Sequence, residues 1–118
     1  MQVLGCVHVA LLVSDLAQAE HFYSIVLGLE PLPRNVKFAG LWYRVGELEL
    51  HFVAVARVPS DLVEPARWGR NRHLAFKVAD LAAAKAHLLA QGYPVQMSST
   101  GRAALFTRDP DGNIIELG

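Results

Sequence analysis

Four polar side chains in apolar, strand-like stretches have the types and the spacing of a metal-binding set. His8 lies in CVHVALLV, and His73 lies in NRHLAFKV, 65 residues later. His51 lies in LELHFV and Glu116 in NIIELG, each 43 residues after the histidine of its own half. A lone strand histidine is more often a hydrogen-bonded core or edge residue, but here a single offset relates four positions at once.

Three imidazoles and one carboxylate are suitable ligands for a borderline divalent ion such as zinc, nickel, cobalt, iron or manganese. The set contains too much nitrogen for a dedicated magnesium or calcium site. If the two halves of the chain pair with pseudo-twofold symmetry, their sheets face one another and the four side chains converge on one cavity. We therefore predict a transition-metal site formed by His8, His51, His73 and Glu116.

An internal repeat supplies the elements that position these residues. HVALLVSDLAQA (8–19) and HLAFKVADLAAA (73–84) are identical at seven of twelve positions. Each copy reads as a strand followed by an aspartate, Asp15 or Asp80, at the place of a helix N-cap. The apolar spacing predicts helices over about 16–27 and 81–91, which end at Gly28 and Gly92.

Three further strands follow each predicted helix, over about 30–34, 41–45 and 48–54 in the first half and about 95–98, 103–107 and 114–117 in the second. Each half is therefore predicted to be a βαβββ module. We expect one α+β domain over 1–118, with module 1 at about 1–56, a connection at about 57–71 and module 2 at about 72–118. The curved mixed sheets of the two modules would line a metal or ligand cavity.

Composition excludes several classes of protein. The 118 residues are 53% hydrophobic, and 11 basic residues balance 11 acidic ones, so a nucleic-acid surface is not expected. The apolar runs are far shorter than the roughly 20 residues of a membrane helix, and no signal peptide is evident. The single cysteine, Cys6, forms no internal disulfide and is expected to be a small buried thiol. We expect a cytoplasmic protein that binds neither nucleic acid nor membrane.

Three stretches resemble the vicinal oxygen chelate superfamily, which is also called the glyoxalase/bleomycin-resistance/dioxygenase group. They are HVALLVSDLAQAEHFYSIVLGLE near the start, RHLAFKVADL in the middle and TRDPDGNIIEL at the end. The last is the most specific, because DPDGN is a strong turn signal before the strand that carries the glutamate. The resemblance implies paired βαβββ modules and metal ligands on the first and last strand of each, where this chain has His8, His51, His73 and Glu116.

The resemblance also implies a mechanism. Family members bind two oxygens, or one ionisable oxygen, of a small substrate at the metal and stabilise the anion that forms, often an enediolate. Glu116 is then the candidate proton shuttle as well as a ligand. The position of His51 is usually a glutamate in glyoxalase I proteins, so this chain departs from the lactoylglutathione lyase pattern there. Glu49 lies two residues earlier on the same strand face and reads as a solvent-facing carboxylate.

Other residues and alternative functions complete the hypothesis. Predicted substrate contacts are Arg102 and Arg72 for an anionic group, with Trp42 and Phe52 as pocket aromatics. The leading function is a metal-dependent glyoxalase-like lyase or isomerase, and we expect a small-molecule substrate and a homodimer. One alternative is an extradiol-type ring-cleaving dioxygenase, although a fourth protein ligand at His51 would crowd its iron. The other is a non-catalytic module that sequesters an antibiotic or another ligand, in which the metal set is often missing.

Overall fold

The computed structural model describes all 118 residues and divides them into two compact units, Met1–Val58 and Pro59–Gly118. Both units contain the predicted βαβββ order, so the α+β class with two repeated modules is confirmed. The residues predicted as a connection fall mostly inside the second unit. None of the helices has the length and apolar character needed to cross a membrane.

The first unit is a four-stranded mixed sheet with one helix. Strand β1 is parallel to β4, and the other neighbours are antiparallel, in the order β1-β4-β3-β2. The elements are β1 (His8–Val13), α1 (Leu16–Glu20), a π-helix (His21–Val26), β2 (Glu30–Leu32), β3 (Gly40–Val45) and β4 (Leu48–Ala54).

The second unit repeats this topology in the order β5-β8-β7-β6, with β5 parallel to β8. A short 3-10 turn (Trp68–Arg70) precedes its first strand. The elements are β5 (His73–Phe76), α2 (Leu81–Ala90), β6 (Gln96–Met97), β7 (Leu105–Arg108) and β8 (Ile114–Leu117).

The helix starts follow the predicted capping chemistry. The side chain of Asp15 accepts a hydrogen bond from the amide of Gln18 at 3.0 Å, and Asp80 accepts one from Ala83 at 3.0 Å. Each carboxylate satisfies a helix amide that has no carbonyl partner. The two copies of the repeat therefore turn from strand to helix by the same interaction.

The first helix differs from its prediction as one continuous α-helix over 16–27. After Glu20 the chain widens into a π-helix, in which the amide of Leu27 donates to the carbonyl of Phe22. The wider turn buries Phe22 and Tyr23 together, and Ser24 forms a 2.7 Å hydrogen bond with the Tyr43 hydroxyl. An apolar spacing predicts which residues are buried, but it does not predict this change of pitch.

Each helix covers one face of its sheet and leaves the other face to the polar residues. In the first unit Tyr23 packs on Phe52, with ring centroids 4.2 Å apart, and on Tyr43 at 6.2 Å. Burial in this layer raises the pKa of Tyr43 above its usual value of 10.0. In the second unit the fully buried residues include Leu88 of α2, together with Leu105 and Ile115 of the sheet.

We predict that Gly40→Ala destabilises the protein. A Cβ at Gly40 would lie 2.1 Å from the carbonyl oxygen of Phe52 on the neighbouring strand, so β3 and β4 would have to separate. The expected loss in the free energy of unfolding is about 2 kcal/mol or more, measured by chemical denaturation. Gly5→Ala is the control, because its Cβ meets no atom within 4 Å. Equal stability of the two variants would contradict the prediction.

Candidate metal centre

The parallel pairing of first and last strands places the four predicted ligands at equivalent positions in the two sheets. His51 on β4 is the register partner of Ala10 on β1. His8 is two residues before Ala10 on β1, so it lies on the same face of the sheet. On β8, Glu116 is the partner of Ala75, and His73 is likewise two residues before Ala75 on β5. The offset of 65 therefore describes a repeated geometry as well as a repeated sequence.

His73 and Glu116 form a direct pair in the second unit. Nε2 of His73 lies 3.1 Å from Oε2 of Glu116, and the glutamate side chain is only 10% exposed. Nδ1 of His73 lies 2.7 Å from the backbone oxygen of Asn71. Because a carbonyl oxygen can only accept, Nδ1 carries a hydrogen and donates it, which fixes the ring orientation.

Arg102 completes the surroundings of Glu116. Its Nη2 donates to Oε1 of Glu116 at 2.6 Å, while 61% of the arginine side chain is exposed. A charge-assisted hydrogen bond of this length is stronger than one between neutral groups. Each oxygen of Glu116 therefore has its own neighbour, Arg102 at Oε1 and His73 at Oε2.

His8 and His51 form the corresponding pair in the first unit, but they are arranged as stacked rings. Their centroids are 4.2 Å apart and their planes are 12° from parallel. Trp42 stacks on the other side of His51, with centroids 4.4 Å apart. His51 is therefore held between two flat rings on the face of the sheet that α1 does not cover.

Glu49 is a partner of His51 rather than a solvent-facing carboxylate. Its Oε1 accepts a hydrogen bond from Nε2 of His51 at 3.0 Å, and its Oε2 lies 3.3 Å from Arg44. The hydrogen bond from His51 lowers the pKa of Glu49, and the charge of Arg44 lowers it further. Since Nε2 donates to this carboxylate, Nδ1 is the nitrogen of neutral His51 that keeps a lone pair. The alternation in GELELHF places Glu49 and His51 on the same face of β4, so their contact could be inferred from the sequence.

Asn71 organises the backbone in front of His73, a role that no motif in the sequence predicts. Its buried side chain accepts from the amides of Val63 and Glu64 at 2.7 and 2.9 Å. Its amide group donates to the carbonyls of Glu64, Arg67 and Trp68. Residues 63–71 are thus a fixed part of the second unit, and their end presents the carbonyl that orients His73.

The predicted substrate contacts fall in different environments. Trp42 lies on the same sheet face as His51, because the two are register partners. Phe52 is fully buried on the opposite face against Tyr23, so it belongs to the core and corrects our expectation of a pocket aromatic. The period of two along β4 is the physical reason, since His51 and Phe52 are neighbours in sequence. Arg72 is exposed, and so is Cys6, which we had expected to be buried.

The donor atoms of the second pair fit a divalent ion. With a hydrogen on Nδ1, His73 has Nε2 left to share a proton with Oε2 of Glu116 or to bind a cation together with that oxygen. Nitrogen and oxygen ligands that bind one ion at about 2.1 Å lie roughly 3.0–3.4 Å from each other. The 3.1 Å separation of Nε2 and Oε2 agrees with that range. No group of three or more His, Cys, Asp or Glu side chains is arranged to hold a metal ion.

We predict that Asn71→Ala destabilises the second unit. The substitution leaves two amides and three carbonyls of the 63–71 segment without their side-chain partner, at an expected cost of about 2–3 kcal/mol in the free energy of unfolding. Amide hydrogen exchange should accelerate at Val63 and Glu64, which donate to Asn71. Asn35→Ala, at an exposed position, should change stability by less than about 0.5 kcal/mol. Unchanged exchange at Val63 and Glu64 would contradict this role of Asn71.

Similar structures share this fold along nearly the whole chain. A glyoxalase family protein from Enterococcus faecalis is 33% identical, with a TM-score of 0.72 and coverage of 93% of each chain. A lactoylglutathione lyase from Agrobacterium tumefaciens is 25% identical, with a TM-score of 0.70 and coverage of 97% of this chain and 92% of the other. The fosfomycin resistance protein FosX from Listeria monocytogenes has a TM-score of 0.80 at 15% identity, with coverage of 98% and 91%, and shows the fold alone.

None of the curated protein sequences compared with this chain matches it. The family model of the Glyoxalase/Bleomycin resistance protein/Dioxygenase superfamily matches residues 5–117. That match includes both βαβββ units and all four predicted ligands. The chain belongs to the Glyoxalase/Bleomycin resistance protein/Dioxygenase superfamily.

Proposed function

We propose that this protein is a metal-dependent, glyoxalase-like lyase or isomerase acting on a small oxygenated substrate. The observation that carries the proposal is the His73–Glu116 pair, whose donor atoms are 3.1 Å apart and whose imidazole is oriented by the carbonyl of Asn71. His8 and His51 would complete the ligand set. The ion would be zinc, nickel, cobalt, iron or manganese, since imidazole and carboxylate ligands suit all five.

The pair His8 and His51 supports the proposal because each ring has a nitrogen that can bind an ion. His51 donates from Nε2 to Glu49, which leaves Nδ1 free to bind an ion. The rings of His8 and His51 are stacked, so the lone pairs of their nitrogens lie in nearly parallel planes and do not point at one common position. One of the two rings must turn before both can bind the same ion. His8 is exposed at the start of β1, and a rotation of its side chain displaces no core residue.

When bound, the metal would act as a Lewis acid that polarises the substrate oxygens and stabilises the negative charge that develops on them. The chain's own residues supply the remaining functions. The backbone carbonyl of Asn71 accepts the hydrogen bond from Nδ1 of His73, and Arg102 donates a hydrogen bond to Oε1 of Glu116. Oε2 of Glu116 would then be the atom that accepts a proton from a substrate carbon and returns it to the neighbouring one.

The alternatives differ in what they require from these residues. A ring-cleaving dioxygenase needs open positions on ferrous iron for substrate and oxygen, and four protein ligands leave fewer of them. A sequestering module needs no metal set, and the equivalent register of His8 and His51 in one unit and His73 and Glu116 in the other supports a metal site instead. We further propose that the protein works in the cytoplasm as a homodimer, with the single free cysteine in keeping with a reducing compartment.

We predict that protein purified without a histidine tag binds a divalent transition metal through the four ligands. Replacing His8 or Glu116 by alanine should lower the affinity by more than about 100-fold, because loss of an outer partner alone costs about 10- to 100-fold. Metal analysis after dialysis measures the effect. His21→Ala and His87→Ala remove histidines from the helical segments and should leave metal content unchanged. Equal metal content in all variants would refute the site.

Mixing two defective variants tests how the pairs combine. His8→Ala damages only the first unit, and Glu116→Ala damages only the second. If two copies share a site, a mixed dimer contains one site with both defects and one intact site, so metal binding returns. If one chain forms its own site, each chain in the mixture keeps a defect and no binding returns.

We predict turnover of the methylglyoxal–glutathione adduct by the metal-loaded protein, because the adduct presents two neighbouring oxygens to the ion. Glu116→Gln should slow turnover by at least about 100-fold at saturating metal, since proton transfer by a positioned group contributes 10²–10⁴-fold. Thioester formation is the readout. Turnover of catechols after anaerobic iron loading, without turnover of the adduct, would overturn the reaction class. Tight binding of a drug-like ligand without any turnover would favour the sequestering module.

A further inference from the structure

Arg108 lies on the same face of the second sheet as His73 and Glu116. Its register partner on β8 is Ile114, and Ile114 is in turn the partner of His73 on β5. The three residues therefore form one cross-strand row, with the Cα atoms of His73 and Arg108 about 10 Å apart, two strand spacings. Phe106, which is opposite Glu116, is buried like Ile114 and meets the His73 ring edge-on, with the two ring centroids 5.5 Å apart.

The guanidinium of Arg108 has no acceptor in the protein. Its Nε is buried without a hydrogen-bond partner, and the residue takes part in none of the four ion pairs. Its neighbours are the ring of Trp68, 5.7 Å from the guanidinium carbon, and the backbone of Gly112. A partly buried cation without an acceptor is costly unless something else satisfies its donors.

Arg34 has a structural role in this chain and differs from Arg108 in its hydrogen bonds. Its Nε is also buried and unpaired. Its terminal nitrogens, however, donate to the carbonyls of Gly40 at 3.1 Å and Phe38 at 2.8 Å, which fastens the loop before β3. Arg108 has a similar aromatic neighbour but fastens nothing by hydrogen bonds. Its terminal nitrogens therefore have no acceptor and can receive one from a ligand.

The surroundings of Arg108 are fixed in advance. The amide of Trp68 donates to the side chain of Gln96 at 2.9 Å, and Gln96 donates back to the carbonyl of Ala66 at 3.1 Å. Gly69 lies so close to Phe106 that a Cβ would be 2.6 Å from the ring. The turn that carries Trp68 is thus locked against β6 and β7, and a ligand of Arg108 need not order it.

We propose that Arg108 binds a carboxylate of the substrate. The substrate class is a molecule with two neighbouring oxygens at the His73–Glu116 end and a carboxylate at the Arg108 end. The chelating half of this description rests on the proposed function. Arg102, our sequence-based candidate for an anionic group, already donates to Glu116 at 2.6 Å, so its guanidinium is engaged where that of Arg108 is free.

The first experiment uses the metal-free protein and therefore does not depend on the metal site. Benzoate and its neutral counterpart benzamide are titrated while the Nε–H signals of the arginines are followed by NMR. The signal lost in Arg108→Lys identifies Arg108. A saturable shift of that signal with benzoate, and none with benzamide, is the expected result. The Arg34 signal is the internal control, and a benzoate response at Arg34 equal to that at Arg108, or no response at Arg108, overturns the proposal.

The second experiment uses the metal-loaded protein with 3,4-dihydroxybenzoate and the neutral 3,4-dihydroxybenzamide, which share the chelating oxygens. The acid should bind at least about tenfold more tightly than the amide, the range for hydrogen bonds to charged groups. Arg108→Gln should reduce that preference to less than about threefold without changing the affinity for the amide. Arg57→Gln, which removes an exposed charge from the other unit, should retain the full preference.

The outcomes separate this proposal from the function on which it rests. If neither wild type nor Arg108→Gln takes up metal, the metal site fails, and the benzoate titration still decides whether Arg108 binds carboxylates. If metal binds normally but Arg108→Gln keeps the wild-type preference for the acid, the assignment of Arg108 alone is wrong. The titration of the wild-type protein needs no variant to fold, because Arg108→Lys serves only to assign the signal.

Discussion

The parallel pairing of the first and last strands in each unit is the constraint on which the remaining structure depends. These two strands are far apart in sequence, yet their pairing brings His8 beside His51 and His73 beside Glu116. A parallel pair needs a crossover, and the helix with the two strands that follow it supplies that connection. The capped helix that begins the crossover and the order of the strands in each sheet both follow from pairing the first strand of a unit with its last strand, and the repeat does this twice.

Much of this arrangement could be predicted because it is encoded by local and periodic signals. The aspartate caps and the DPDGN turn depend on residues close in sequence, and the offset of 65 is a repeat visible in the sequence itself; the structure has the caps, the turn and the repeated topology. The failures have a common origin in tertiary packing. Phe52, predicted as a pocket aromatic, is buried in the core, the π-helical turn arises from packing on the sheet, and Asn71 acts through the backbone of a segment that has no period.

Arg108 and Glu49 illustrate a second limit of sequence reasoning. Both lie in strands at positions that alternate toward the site, so their side of the sheet could be inferred from the period of two. What decides their roles is the identity of their partners. Glu49 accepts from His51, whereas Arg108 stacks on Trp68 and finds no acceptor. The partner of Arg108 lies 40 positions earlier, in a turn without secondary-structure signals, whereas the partner of Glu49 is two positions away and could be inferred from the alternation.

The equivalence of His51 and Glu116 has a consequence for the electrostatics of the proposed centre. The same scaffold position contributes a neutral imidazole in one unit and an anion in the other, so the two halves differ by one elementary charge while their registers match. A divalent ion held by three neutral donors and one carboxylate keeps a formal charge of +1, whereas a second glutamate would cancel it. The duplicated fold can therefore alter the charge of its centre, and with it the attraction for anions, by one substitution that leaves the geometry of the strands unchanged.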